Sequence, residues 1–161
     1  TGHLVFSTLH TNDAVGAVTR LLDLGVKPFL VAASLHGVVA QRLVRKTCEK
    51  CRRSHGASAA ELEVLQLPSS VPAPLTVFRG QGCGACDRSG YRGRLGVFEV
   101  LVVDDALRRL VHERASVAAL RRCARAGGLR TMREDGVHKV IAGLTTVEEV
   151  VSITLADSLP Q

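Results

Sequence analysis

Four cysteines in two matched pairs, Cys48-Glu-Lys-Cys51 and Cys83-Gly-Ala-Cys86, constrain this chain more than any other feature. Two residues between thiols let a tight turn aim both sulfurs at one tetrahedral ion, at roughly 2.3 Å each. Two such turns supply a closed four-sulfur shell with no open position, the pattern of a structural zinc site rather than a catalytic one. Disulfides, a redox dithiol and an iron–sulfur cluster are the competing uses of four thiols. A disulfide within either C-x-x-C would close a small strained ring, and two redox dithiols in one basic module would be unusual. The 52–82 stretch between the pairs is long for a zinc pattern, so it is expected to carry structure of its own. His55, four residues past Cys51, reads as a surface residue rather than a substitute ligand, and Cys123 as a part-buried hydrophobe in a helix.

Composition narrows the function classes. In 161 residues there is room for one ordinary domain or two small ones, and 46% apolar with 22% charged residues suits a soluble globular chain. No Trp and a single Tyr argue against the aromatic platforms on which single-stranded nucleic acid stacks. The net charge of +6 is mostly arginine, and many cations flank the cysteines: Arg45, Lys46, Lys50, Arg52 and Arg53, then Arg88, Arg92 and Arg94. These fit a nucleic-acid patch, or cations offsetting a four-thiolate zinc centre of charge about −2; the second reading is preferred. Cysteines in C-x-x-C pairs with no signal peptide point to a reducing compartment. Phe29–Ala40, the longest apolar stretch, is too short to span a bilayer.

Along the chain, Leu4–Ser7 reads as a buried strand, and a core strand so near the start suggests a piece of a longer protein. Thr11 or Asn12 is expected to cap a helix with Val15, Val18, Leu21 and Leu22 on one face, ending at Gly25. Pro28 suits the first turn of a second helix reaching about Leu35, and Val38–Val44 reads as a strand. Ser58-Ala-Ala-Glu61 is a capping box for a short helix to about Leu67, followed by a Pro68–Pro74 linker and a strand at Leu75–Phe78. Gly90, Gly93 and Gly96 are expected in a tight turn region ahead of a strand over Val97–Val103. Four helices should follow: one after Asp104-Asp105, with Ala106, Leu107, Leu110 and Val111 as its stripe; one capped by Ser116 with Val117, Leu120 and Ala124 inward; one over Thr131–Ala142; and one opened by Thr145-Thr146 and ending near Leu155. Together they read as a small helical bundle.

Three stretches in this order then resemble a known family. TGHLVFSTLHTN (Thr1–Asn12) is similar to the histidine box of secretion ATPases. AQRLVRKTCEKC (Ala40–Cys51) with GCGACDRSGYRGRLGVFEVL (Gly82–Leu101) resembles their zinc-binding insertion, and RTMREDGVHKVIAGLTTVEEVV (Arg130–Val151) their C-terminal helices. The chain thus resembles the type II secretion and type IV pilus assembly ATPases, the GspE/PilB group, from Thr1 to about Thr154. The tetracysteine insertion separates it from the pilus retraction branch.

That resemblance implies an α/β fold: the C-terminal part of a RecA-like P-loop ATPase core, a tetracysteine zinc insertion and a C-terminal helical bundle. The implied boundaries are residues 1–45 for the end of the core, 46–94 for the zinc module, and 95–161 for a strand plus the bundle. It further implies a cytoplasmic homo-hexamer, peripheral to the bacterial inner membrane, working on a polytopic platform protein, with no nucleic-acid partner. Implied sites are Cys48, Cys51, Cys83 and Cys86 for a structural Zn2+, His10 reaching toward the γ-phosphate of ATP, and His3 supporting it. A histidine at the end of a strand can donate to a phosphate oxygen. ATP and Mg2+ belong to the full-length protein only. The chain has no Gly-Lys dipeptide and so no Walker A loop, and the family's aspartate and Walker B boxes precede the histidine box. By itself it is expected to be catalytically inactive. His36, His112 and His138 lack supporting motifs and read as surface or core-edge residues; Arg20 reads as a solvated helix arginine, and Gln41-Arg42 as part of strand packing. The alternatives are a nucleic-acid-binding zinc ribbon that works without ATP, and a chaperone-like zinc module, whose repeated pairs are more numerous than the two present here.

Overall fold

A computed structural model describes residues 2–65 and 74–154. It is a mixed α/β chain of seven α-helices, one 3-10 turn (Gly84–Cys86) and four strands among the described residues: α1 (Ala14–Asp23), α2 (Pro28–Ser34), β1 (Gly37–Thr47), β2 (Arg52–Gly56), α3 (Ala59–Leu65), β3 (Thr76–Gly80), β4 (Tyr91–Val102), α4 (Asp105–His112), α5 (Val117–Ala126), α6 (Met132–Ile141) and α7 (Val147–Thr154). β1 pairs with β4, and β2 pairs with β3. The residues fall into two compact units, each assembled from separate stretches of chain.

The first unit comprises Thr1–Ala40 and Glu99–Arg130. Its core is built where amphipathic stripes meet: Val15 and Val18 of α1, Val31 of α2, Leu101 of β4, Leu107 and Val111 of α4, and Leu120 of α5. Cys123 packs at the edge of that core as a half-buried side chain. Asp104 caps α4 by accepting from the Leu107 amide at 2.8 Å, and Ser116 caps α5 through the Ala119 amide at 3.3 Å. Pro28 occupies the first turn of α2, where its missing N–H is no loss.

Three expectations in this unit are corrected. The cap of α1 is Asp13, whose carboxylate accepts from the Gly16 amide; Thr11 instead donates its hydroxyl to the Asp13 carbonyl at 3.1 Å. Asp13 stands directly before the first helical residue, where its carboxylate can accept from the first turn, whereas Thr11 is two residues too early. Leu4–Ser7 forms no strand, and Leu4, Val5 and Phe6 are 71%, 78% and 89% exposed. A strand exists only with a partner for its backbone groups, and no strand pairs with this stretch among the described residues. Leu21 and Leu22 share the inward face with Val15 and Val18 as expected, packing half-buried against the core. Val117, at the first turn of α5, is exposed while Leu120 and Ala124 turn inward.

The second unit comprises Gln41–Phe98 and Thr131–Gln161. β2 and β3 run antiparallel, with Arg52 opposite Gly80, Ser54 opposite Phe78 and Gly56 opposite Thr76. Leu65 of α3, Val77 of β3, Val137 and Val140 of α6, and Val147 and Val150 of α7 form its core. The expected capping box at Ser58–Glu61 closes, and the structure adds a second at Thr131–Glu134 that was not expected from the sequence. Ser58 and Glu61 exchange bonds at 2.8 and 3.3 Å, and Thr131 and Glu134 at 2.9 and 3.2 Å. Gly136 lets α7 approach α6, since a Cβ there would lie 2.5 Å from Val150.

β4 begins at Tyr91, so Gly93 and Gly96 lie within a strand and only Gly90 stands in the turn before it. The glycines were expected in a turn because they weaken strands intrinsically; pairing with β1 overrides that preference. The four helices after β4 divide between the units, α4 and α5 in the first, α6 and α7 in the second. The expected helix ends near Leu67 and Leu155, and all but the last residue of the Pro68–Pro74 linker, lie outside the described residues.

Candidate metal centre

Each cysteine pair sits on a turn whose backbone is closed by its own amides. Cys51 and Arg52 donate to the Cys48 carbonyl at 3.3 and 2.9 Å. In the second turn Cys86 and Arg88 donate to the Cys83 carbonyl at 3.1 and 3.0 Å, and Asp87 and Arg88 take positive φ angles of 48° and 61°. Two cross-links then bring the turns face to face: the Cys48 amide donates to the Gly90 carbonyl at 2.9 Å, and the Gln81 amide to the Cys51 carbonyl at 3.1 Å. Gly80 and Gly90 make this approach possible. A Cβ on Gly90 would stand 2.7 Å from the Gly80 carbonyl oxygen, and Gly90 has a φ of +79°, which side-chain-bearing residues rarely adopt.

The four ligand atoms lie within 4.8 Å of one another. Sulfur separations are 4.0 Å for Cys48–Cys83, 3.9 Å for Cys51–Cys86 and 3.8 Å for Cys83–Cys86. Four sulfurs each roughly 2.3 Å from a central tetrahedral ion stand about 3.8 Å apart, so the residues present fit such an ion. All four thiols are free, and three are buried. Backbone donors point at the sulfurs, as thiolates require. The Cys83 amide donates to the Cys86 sulfur at 3.2 Å and is the main reason that this thiol is held down at about 7, with Gly90 contributing in the same direction. Burial pushes Cys51 up to about 11, against the Gly82 amide. His55 stays outside the cluster, exposed, with Glu61 at 3.4 Å.

The strands beside the centre are tied to the start of α7. The Arg45 guanidinium grips the Glu149 carboxylate at 3.0 and 2.7 Å, and the Arg45 amide reaches its second oxygen at 2.7 Å. Arg45 also lies over the Tyr91 ring, 4.1 Å from its centre, and the Tyr91 hydroxyl meets that of Thr146 at 3.0 Å. Burial raises the Glu149 carboxyl, but donation from Arg45 outweighs it and holds the carboxyl below its usual range. Arg52, next to Cys51, lies over Phe78 and donates to the Gly143 carbonyl at 3.2 Å.

The histidines are placed differently. His3 and His10 lie exposed on a segment without helix or strand, in the first unit, and are not part of the cysteine cluster. His36, His112 and His138 are exposed, as is Arg20.

A sequence model described as type II/IV secretion system protein matches residues 1–152. The chain belongs to the type II/IV secretion system protein family. Within the family it is 49% identical over 96% of its length to the type II secretion system protein E of Pseudomonas aeruginosa. It is 48% identical to the type II secretion system ATPase E of Vibrio cholerae and 43% identical to the type IV pilus assembly ATPase PilB of Thermus thermophilus, each over 96% of the chain. It spans 30%, 30% and 17% of the lengths of these three relatives. The resemblance carried by the histidine-box, cysteine and C-terminal stretches is therefore a family relationship to secretion and pilus ATPases.

Proposed function

We propose that this chain is the C-terminal portion of a cytoplasmic hexameric ATPase, peripheral to the bacterial inner membrane, that powers type II secretion or type IV pilus assembly through a membrane platform protein. The observation that carries the reading is the match of residues 1–152 to the family, with relatives named as a secretion ATPase and a pilus assembly ATPase at 48% and 43% identity. Residues 1–45 complete a RecA-like core, 46–94 form the zinc module, and 95–161 supply a strand and the C-terminal helices. Cys48, Cys51, Cys83 and Cys86 hold one structural Zn2+, which cross-links two turns in a small module. His10, supported by His3, would reach toward the γ-phosphate of ATP, where an imidazole N–H can donate to a phosphate oxygen.

The test is ATP hydrolysis by the full-length protein, its His10→Ala variant and the 161-residue chain alone. Hydrolysis by the full-length protein, a loss of about a hundredfold or more in the variant and none in the isolated chain are expected. A full-length protein that does not hydrolyse ATP, or a His10→Ala variant that turns over normally, overturns the corresponding part. Elemental analysis should find one zinc per chain; well under one, with all thiols open to reagents, refutes the metal assignment.

A further inference from the structure

We propose that Glu99 is a positioning residue which, with Asp13 and Arg121, fixes the direction in which the histidine-bearing segment leaves α1. This rests on the reading of His10 given above. β4 alternates burial, with Val97 and Leu101 inward, and Glu99 takes the inward place between them at 5% exposure. A carboxylate at an apolar position is kept only where donors meet it. Its Oε1 accepts from the Ala14 amide at 2.9 Å, reaching from 85 residues away to the first residue of α1. The positive end of the helix dipole favours a negative charge there.

A local cap already exists, so Glu99 is more than a cap. Asp13 accepts from the Gly16 amide and at the same time takes the Arg121 guanidinium at 2.6 Å, tying the residue before the helix to α5. The Thr11 hydroxyl closes the turn onto the Asp13 carbonyl at 3.1 Å. Two carboxylates thus hold the N-terminus of α1 from two sides, and the held turn begins at the residue after His10. Residues 2–11 have no helix or strand of their own. The clamp at Thr11–Ala14 therefore determines where the backbone of His10 starts.

The experiment uses the 15N-labelled chain with Glu99→Gln and Glu99→Leu. The neutral amide still accepts from Ala14 and should keep its exchange protection; the leucine should quicken Ala14 exchange by tenfold or more and lower the heteronuclear NOE of the His10 and Thr11 amides. Unchanged amide shifts at Leu107 and Leu120 certify the fold. Should the leucine variant not fold, Arg121→Met removes the other side of the clamp at an exposed position and should loosen the same amides. Unaltered His10 and Thr11 dynamics in a folded variant overturn the proposal. In the assembled ATPase, Glu99→Leu should lower kcat with KM for ATP unchanged, and Glu99→Gln should restore it. Loosened amides with normal turnover would uphold the anchor and remove His10 from the chemistry, so the two ideas fail separately.

Discussion

Single residues around the metal centre have consequences that run in opposite directions. Thr47 is buried and its hydroxyl finds no partner among the described residues. Removing an unsatisfied buried hydroxyl while keeping its shape should help, so Thr47→Val is expected to raise stability by about 1 kcal/mol in urea titration. A loss would mean that the hydroxyl has a partner in solution. Gly90→Ala should cost about 2–3 kcal/mol, because the methyl group meets the Gly80 carbonyl and a positive φ is disfavoured at once. Glu149 sets a pH dependence. Its folded carboxyl lies below its ordinary value, so its contribution is present above about pH 4.5 and is lost as pH falls below that. In the Glu149→Gln variant this acid-side slope of stability should flatten, as followed by acid titration of the melting temperature. The residue signals legible in the sequence were those with fixed local geometry: the C-x-x-C pairs and the Ser58–Glu61 box. Glu99 carried a readable signal too, as a lone carboxylate on the inward side of an alternating strand, but its donor lies 85 residues away.

At the scale of elements, helices were legible and strands only partly so. α2, α4, α5 and α6 follow from caps, stripes and terminal glycines within a few residues of each other. Thr131→Ala, which opens the capping box of α6, should lower stability by about 1 kcal/mol in urea titration, with Thr131→Ser retaining most of it. β2 was not legible. Arg52-Arg-Ser-His-Gly56 has no apolar alternation and buries almost nothing, so its extended form comes from pairing with β3. Leu4–Ser7 is the reverse case, a sequence with strand character and no strand beside it among the described residues. Local propensity points the wrong way in both places; the partner decides the outcome.

For the whole molecule, two compact units drawn from interleaved stretches have no sequence signature, because the contacts that define them join residues far apart. Metal is expected to act on one of them. With chelator, amides of β2, β3 and the two cysteine turns should lose exchange protection, whereas those of α4 and α5, whose core contains no ligand, should keep it. Uniform loss across both sets would refute that confinement. Metal uptake should also weaken as pH falls, since the ion competes with protons for four sulfurs.

The stacking of Arg45 on Tyr91 has an optical consequence. With no tryptophan and one tyrosine in the chain, all intrinsic emission excited near 280 nm comes from that ring. The ring lies under a guanidinium and shares its hydroxyl with Thr146. Fluorescence is therefore a local gauge of the junction between β1, β4 and α7, and an unfolding curve recorded this way reads that corner alone, silent about the helices of the first unit.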